Sequence, residues 1–163
     1  MEGKKINYRP IGVVHSPFQQ MKGTPIQGIF APEAEGSVEV FEEFAEGLRD
    51  VELFSHLYLL YCFHQAGPGE LVCVPFLDDQ PRGIFATRAP RRPNAIGLSI
   101  VRLLARQGRV LRVGELDIMD GTPLLDIKPY VPQMDHRPEA GSGWVKDTRR
   151  RATKEGADER FGE

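Results

Sequence analysis

Along the chain, apolar positions come in short runs broken by glycine and proline, and no long helical stripe recurs. Ile11-Gly-Val-Val-His15 reads as a first strand, ended by Ser16-Pro17. Met21 to Ala31, with Gly23, Pro25 and Gly28, reads as an irregular loop. Ser37-Val-Glu-Val-Phe41 alternates polar and apolar residues, as a half-buried strand does. Glu42 to Asp50 is rich in helix formers, and Phe44, Leu48 and Val51 fall on one face, which predicts a short helix. Ser55 to His64 is the most apolar segment. Its length and aromatic content predict a buried strand, although a buried helical turn has a compatible pattern. Leu71–Phe76 and Gly83–Thr87 are further short strands. Leu98–Arg106 and Arg109–Ile118 flank Gln107-Gly108 and predict a hairpin. After the turn Asp120-Gly-Thr-Pro123 comes a last strand, Leu124–Tyr130, whose Pro129 places that end at a sheet edge.

The pattern adds up to six to eight short strands with little helix, joined by tight turns that favour antiparallel pairing. Closure removes exposed edges, so the fold class expected is mainly β: a small antiparallel β-barrel with short peripheral helices and no Rossmann domain. The 17 glycines and 13 prolines are scattered as turn punctuation and form no low-complexity tract or repeat. From Gln133 the composition turns polar, and Val145 to Glu163 is charged and nearly free of large apolar residues, Phe161 excepted. The expected organisation is a barrel over residues 8–132 and a polar carboxy-terminal extension over residues 133–163, ending in a surface helix or a frayed tail.

Composition narrows the chemistry. The 21 basic and 23 acidic side chains leave a net charge of -2, which excludes a generally basic nucleic-acid coat but not a local basic patch. Cys62 and Cys73 form no CxxC pair, and Cys62 lies in an apolar run where an inert thiol is expected. No apolar run is long enough to span a membrane and the amino terminus has no signal-peptide core, so a cytoplasmic protein is expected. GxGxxG, GxxxxGK[ST] and GxSxG are missing. His15, His56, His64 and His136 have no metal-ligand spacing, and no metal is expected.

Two segments are too dense in chemistry for ordinary surface. Arg82-Gly-Ile-Phe-Ala-Thr-Arg-Ala-Pro-Arg-Arg-Pro-Asn-Ala-Ile-Gly-Leu-Ser99 packs four arginines, two prolines and Asn94 between two strands. Guanidinium forks suit carboxylate and phosphate, and prolines lower the ordering cost of a binding loop. Gly114 to Pro132 carries Asp117, Asp120 and Asp126 in or beside strands, where aspartate is unfavourable without a partner. Partners expected for them are a backbone amide, Lys128, an arginine or a ligand. Asp120-Gly121 has ordinary turn chemistry. Asp117 is the better ligand candidate, at the point where a strand delivers it to the barrel rim.

These segments, with Ile11-Gly-Val-Val-His-Ser-Pro17 and Phe54-Ser-His-Leu-Tyr58, resemble the TsaA-like (TrmO-like) family from about Tyr8 to Pro132. The resemblance implies a compact β-barrel that binds S-adenosyl-L-methionine, dimerises with itself, and methylates N6 of a threonylcarbamoyl-modified adenosine beside the tRNA anticodon. It implies cofactor contacts at Ile26, Gln27 and Gly28, at His64 and Gln65, at Arg88, at Leu98, and along Gly114, Glu115, Leu116 and Asp117. Ile26 stands where the family usually has arginine, and Ala95 where it usually has proline. Larger members carry a further carboxy-terminal domain that this chain is too short to hold, so tRNA recognition by that route is expected to be missing or replaced.

A methyl sulfonium is already activated, so alignment of donor and acceptor is the main requirement and no covalent nucleophile is needed. Asp117 suits the cofactor's ammonium or ribose hydroxyls, and Arg88 its carboxylate. The catalytic residue is not fixed by the sequence; Asn94, Asp120 and His64 are candidates to accept the proton of the target amine. Arg91 and Arg92 are candidates for tRNA phosphates, and Tyr130 for stacking on a base or for the core. Two other readings stay open: the same cofactor acting on another small molecule, and a non-catalytic cofactor-sensing or RNA-binding module.

Overall fold

A computed structural model describes residues 5–145 together with Ala157, Asp158 and Phe161. Among these residues the strands are β1 (Gly12–His15), β2 (Glu35–Val40), β3 (His56–Cys62), β4 (Val72–Cys73), β5 (Arg82–Gly83), β6 (Ile96–Gln107), β7 (Val110–Gly114) and β8 (Thr122–Pro129). Six of them close an antiparallel barrel in the order β1-β2-β7-β6-β3-β8, with β8 returning to β1, and β4 and β5 pair separately. The mainly-β barrel expected from the sequence is the fold observed.

Alternation fills the interior. Val14 sits opposite Val38, and Val38 opposite Leu111, so three neighbouring strands point valine or leucine inward at one level. Across β3 and β6, Leu57 faces Val101 and Leu59 faces Ser99. Val14, Val38, Leu57, Leu59, Val101, Leu111, Val113 and Leu124 have no exposed surface. One barrel end is plugged by Leu48, with Phe44, Val51 and Phe54 packed beside it. Toward the other end, past the last residue of β7, the buried side chains Leu116 and Ile118 join the core.

Several elements depart from the sequence reading, each for a local reason. Glu42–Leu48 is a 3-10 helix instead of an α-helix. The segment is short, contains Gly47, and is halted by Asp50 in the left-handed region, so the tighter bonding suffices to bring Leu48 inward. Gly83–Thr87 is not a strand: β5 ends at Gly83 and Ile84–Ala86 turn into a 3-10 helix. The guanidinium of Arg92 donates to the carbonyls of Ile84, Thr87 and Ala89, replacing the ladder partners a strand would have used. Leu71–Phe76 contributes only the two residues of β4. The second arm of the hairpin stops at Gly114, because Glu115 adopts φ +59° and turns the chain across the barrel mouth.

Pro129 stands at an open edge, as the sequence predicts: β8 lies between β3 and β1, but past Leu124 only the β3 side is paired. It is tolerated because Tyr130 N–H is the group that bonds toward β3, at the His56 carbonyl, while β1 reaches only as far as Leu124 on the opposite side. The surface helix or frayed tail read over Val145–Glu163 lies outside the described residues, apart from Val145, Ala157, Asp158 and Phe161. Ala157 exchanges backbone hydrogen bonds with Gly23 and Thr24, and Phe161 is buried against Phe76 in a satellite cluster with Cys73, Ile84 and Ala89.

Leu59 stands at the middle of the inward row of β3, so Leu59→Ala leaves a cavity that a closed barrel cannot collapse. A loss of about 2–5 kcal/mol of stability is expected, read by urea denaturation. A loss under about 1 kcal/mol would show that the barrel interior relaxes around the gap.

Candidate functional site

At the open end of the barrel lies a cavity of about 790 Å³. That volume suits a nucleoside-sized ligand. The loop Thr24–Gln27, the turn Phe63–Ala66, the segment Phe85–Arg88, the start of β6 and the stretch Asp117–Met119 all contribute walls. Most of the lining is apolar, with a few polar groups placed at depth.

Among the lining residues the carboxylate is Asp117. Its Oδ1 accepts the hydroxyl proton of Ser99 at 2.6 Å and its Oδ2 accepts the backbone N–H of Gly28 at 3.0 Å. Ser99 has one proton and gives it to Asp117, so the Tyr61 phenol donates to Ser99 Oγ at 3.0 Å. Register builds this chain of bonds. Tyr61 and Ser99 both point inward on β3 and β6, and Gly97 sits directly opposite Tyr61. A Cβ on Gly97 would lie 2.2 Å from the Tyr61 ring, so the ring's place depends on that glycine. Burial pushes the Asp117 carboxyl up to about 6, against the hydrogen bonds from Ser99 and Gly28, which lower it. Burial, with the Asp117 charge adding to it, also pushes the Tyr61 phenol up.

Gly28 is pressed on the turn at Glu115. A Cβ there would lie 1.8 Å from the Glu115 carbonyl oxygen. The loop that carries Ile26 and Gln27 is therefore held from two sides, by the Asp117 carboxylate and by backbone contact. The Gln27 side chain is oriented in turn: its amide donates to the Ile26 carbonyl, and its oxygen accepts from the Arg88 guanidinium. Arg88 is exposed and borders the cavity.

His64 borders the same space. The Thr122 hydroxyl donates to the Met119 carbonyl at 2.7 Å, so its contact with His64 Nδ1 at 3.4 Å is one in which the imidazole donates. The Gln65 amide donates to His64 Nε2 at 3.2 Å. Together these bonds place the ring proton on Nδ1 and leave Nε2 as the acceptor.

Of the residues singled out from the sequence, Ile26, Gln27, His64, Gln65, Arg88, Leu98 and Asp117 line the cavity. Gly28, Gly114, Glu115 and Leu116 do not line it; they form the backbone bed behind Asp117. Asn94 is exposed at the tight turn before β6, where its carbonyl accepts the Ile96 N–H, and it does not line the cavity. Asp120 is also outside. Its carboxylate accepts the Ser16 N–H at 3.0 Å, a bond that holds its carboxyl below the usual range. Asp126 pairs with Lys128 at 2.8 Å. Arg91 is held by Glu70 at 2.8 Å and Arg92 caps the three carbonyls described above, so both guanidiniums are committed to protein acceptors. Tyr130 packs on His56 and Tyr58, away from the cavity.

Sequence reasoning missed Tyr61, Ser99 and Thr122. The signal was present, because Ser99 is a hydroxyl on an otherwise apolar inward row. It also missed Trp144, Val145, Ala157 and Phe161, which line the cavity from the extension. Their side of the chain carries no periodic pattern to place them.

Two measurements probe this bed. Gly28→Ala forces the loop off Glu115 and breaks the bond to Asp117. It is expected to cost about 1–3 kcal/mol, read as a lowered thermal midpoint; an unchanged midpoint rejects the contact. Asp117→Asn removes the titrating group. As pH rises from 3.8 to about 6, the unfolded chain ionises while folded Asp117 keeps its proton. Wild-type stability is therefore expected to fall relative to Asp117→Asn through that window and to level off above it, by no more than about 3 kcal/mol. Urea titrations across the window check this, and a difference that does not change with pH rejects it.

Residues 13–136 match the tRNA-methyltransferase O N-terminal domain family. Over 156 residues the chain is 52% identical to the probable S-adenosyl-L-methionine-binding protein of Pyrococcus abyssi, covering 96% of this chain and 85% of that one. It is 36% identical over 149 residues to the tRNA (adenine(37)-N6)-methyltransferase of Escherichia coli, covering 85% of this chain and 63% of that enzyme. The crystal structure of TrmO from Pseudomonas aeruginosa superposes with a TM-score of 0.74 at 39% identity, covering 88% of this chain and 64% of that one. The chain thus spans most of the Pyrococcus relative and just under two thirds of the other two. By the family match over residues 13–136, and by 52% identity over 156 residues to the Pyrococcus relative, the chain belongs to the tRNA-methyltransferase O N-terminal domain family.

Proposed function

We propose that this protein binds S-adenosyl-L-methionine in the barrel-mouth cavity and transfers its methyl group to N6 of an adenosine beside a tRNA anticodon, the threonylcarbamoyl-modified base being the acceptor. The observation that carries this reading is the convergence of Arg88, Asp117 and His64 on a mostly apolar cavity of about 790 Å³, in a chain of this family. The donor set fits the cofactor. Arg88, aligned by Gln27, is a fork for a carboxylate. Each Asp117 oxygen accepts one internal bond and has capacity for another, from an ammonium or a ribose hydroxyl. The backbone near Gln65 and Leu98 offers groups for an adenine edge.

Bound there, S-adenosyl-L-methionine supplies an electrophilic methyl on a sulfonium. The protein's part is to align the acceptor nitrogen, exclude water with the apolar walls, and receive the proton that N6 releases on gaining the methyl. Among the sequence candidates for that proton, His64 is the one on the cavity, with Nε2 as its acceptor once the Gln65 amide yields.

The protein is further proposed to be a homodimer. Ile96, Leu98 and Ile100 stand exposed on the outer face of β6, opposite Cys62, Leu60 and Tyr58 of β3, which makes an apolar outer patch. Leu98 also lines the cavity, so a second copy on this patch would border the site. Among the described residues no helix is long and apolar enough to cross a membrane; a cytoplasmic site of action is part of the proposal, since it is where a tRNA substrate is met.

Arg88→Ala and Asp117→Ala are each expected to weaken cofactor binding on the order of tenfold or more, by calorimetry. Unchanged affinity in both variants would move the pocket elsewhere. Labelled cofactor is expected to mark tRNA from a strain lacking the gene; label entering only small molecules would shift the reading to another acceptor, and binding without turnover to a sensing module. Leu98→Glu is expected to convert a dimer to a monomer in sedimentation, and a wild type that sediments as a monomer sinks the dimer.

A further inference from the structure

Trp144 is the single tryptophan of the chain and lies beyond residue 136, where the family match ends. It borders the cavity, yet it belongs to neither apolar core cluster. Its indole is nonetheless fixed. Nε1–H donates to the Ala86 carbonyl at 2.7 Å, two residues before Arg88. The Arg82 guanidinium lies 5.5 Å from the ring centroid, and that guanidinium is in turn held by Asp78 at 2.7 Å. A half-exposed indole restrained at its nitrogen and over one face is pre-set for a planar partner.

We propose that Trp144 is the stacking platform for the acceptor base. The inference rests on the methyltransferase reading above and deepens it. Depth distinguishes the two purines that the reading brings to this cavity. Asp117, Ser99 and Tyr61 lie inward, where the cofactor's polar groups find partners. Trp144 stands on the rim beside exposed Phe85, where an incoming nucleotide arrives first. Arg91 and Arg92 are bound to Glu70 and to backbone carbonyls, and an unpaired anticodon-loop base is the kind of ligand that stacks on an aromatic face.

One tryptophan makes the test direct. Titrating the wild-type protein with an anticodon stem-loop is expected to quench its emission, while S-adenosylhomocysteine alone changes it little. Trp144→Ala is expected to raise KM for the stem-loop on the order of tenfold while cofactor affinity, by calorimetry, stays unchanged. Trp144→Phe keeps a ring without the Ala86 bond and is expected to restore most of the lost KM. An unchanged KM in Trp144→Ala overturns the proposal, as does a loss confined to cofactor affinity, which would assign the platform to the cofactor's own adenine. A wild type that neither binds nor methylates the stem-loop brings down the methyltransferase reading and this inference together, an outcome distinct from an active wild type indifferent to Trp144.

Discussion

The site depends on one carboxylate. Asp117 stands where the apolar interior of the barrel gives way to its mouth, and it accepts from a strand on one side and from a loop on the other. Ser99 belongs to the barrel wall and Gly28 to the segment that carries Ile26 and Gln27. The carboxylate ties these two parts together beside the close backbone packing of Gly28 on Glu115. The surrounding protein makes the charge costly, which is why its carboxyl is pushed up to about 6. A group held under such cost is retained for what it positions.

The arginines follow a different logic. Arg92 folds back to satisfy three carbonyls of a short 3-10 turn, Arg91 meets Glu70, and Arg82 bridges Asp78 and Trp144. Of the four in this loop, Arg88 and Arg92 border the cavity; Arg92 is spent on the three carbonyls, whereas Gln27 fixes the direction of Arg88. The loop's cationic density therefore shapes the rim first.

Three signals made the barrel legible: period-two alternation at Ser37–Phe41, the short aromatic run that became His56–Cys62, and Gln107-Gly108 between the arms of a hairpin. Elements whose backbone is satisfied from far away were not legible. The turn at Ile84–Ala86 owes its shape to Arg92, and the stop at Gly114 to the left-handed Glu115. Arg88 and Asp117 were findable because their side-chain types carry chemistry, and Ile26, Gln27, His64, Gln65 and Leu98 through the resemblance to the family. Asp120 and Asn94 drew the same notice for their type but serve turns. The extension was illegible for the opposite reason: its contacts with the cavity run through isolated residues, such as Trp144 and Phe161, with no repeat between them.

The seam of the barrel gives Asp120 a meaning outside chemistry. Closure joins Gly12–Val14 to Thr122–Leu124, the most distant strands in the sequence, by three paired residues. Directly beyond that pairing, Asp120 takes the Ser16 amide, its own N–H meets the Phe18 carbonyl, and Gly121 N–H meets the Val14 carbonyl. Such long-range closure is slow to form, because the entropy of joining the chain's ends precedes any contact that rewards it. The Asp-Gly turn is thus a clasp on the seam that closes the barrel, and a residue whose motif looks catalytic serves to join the two ends of the chain.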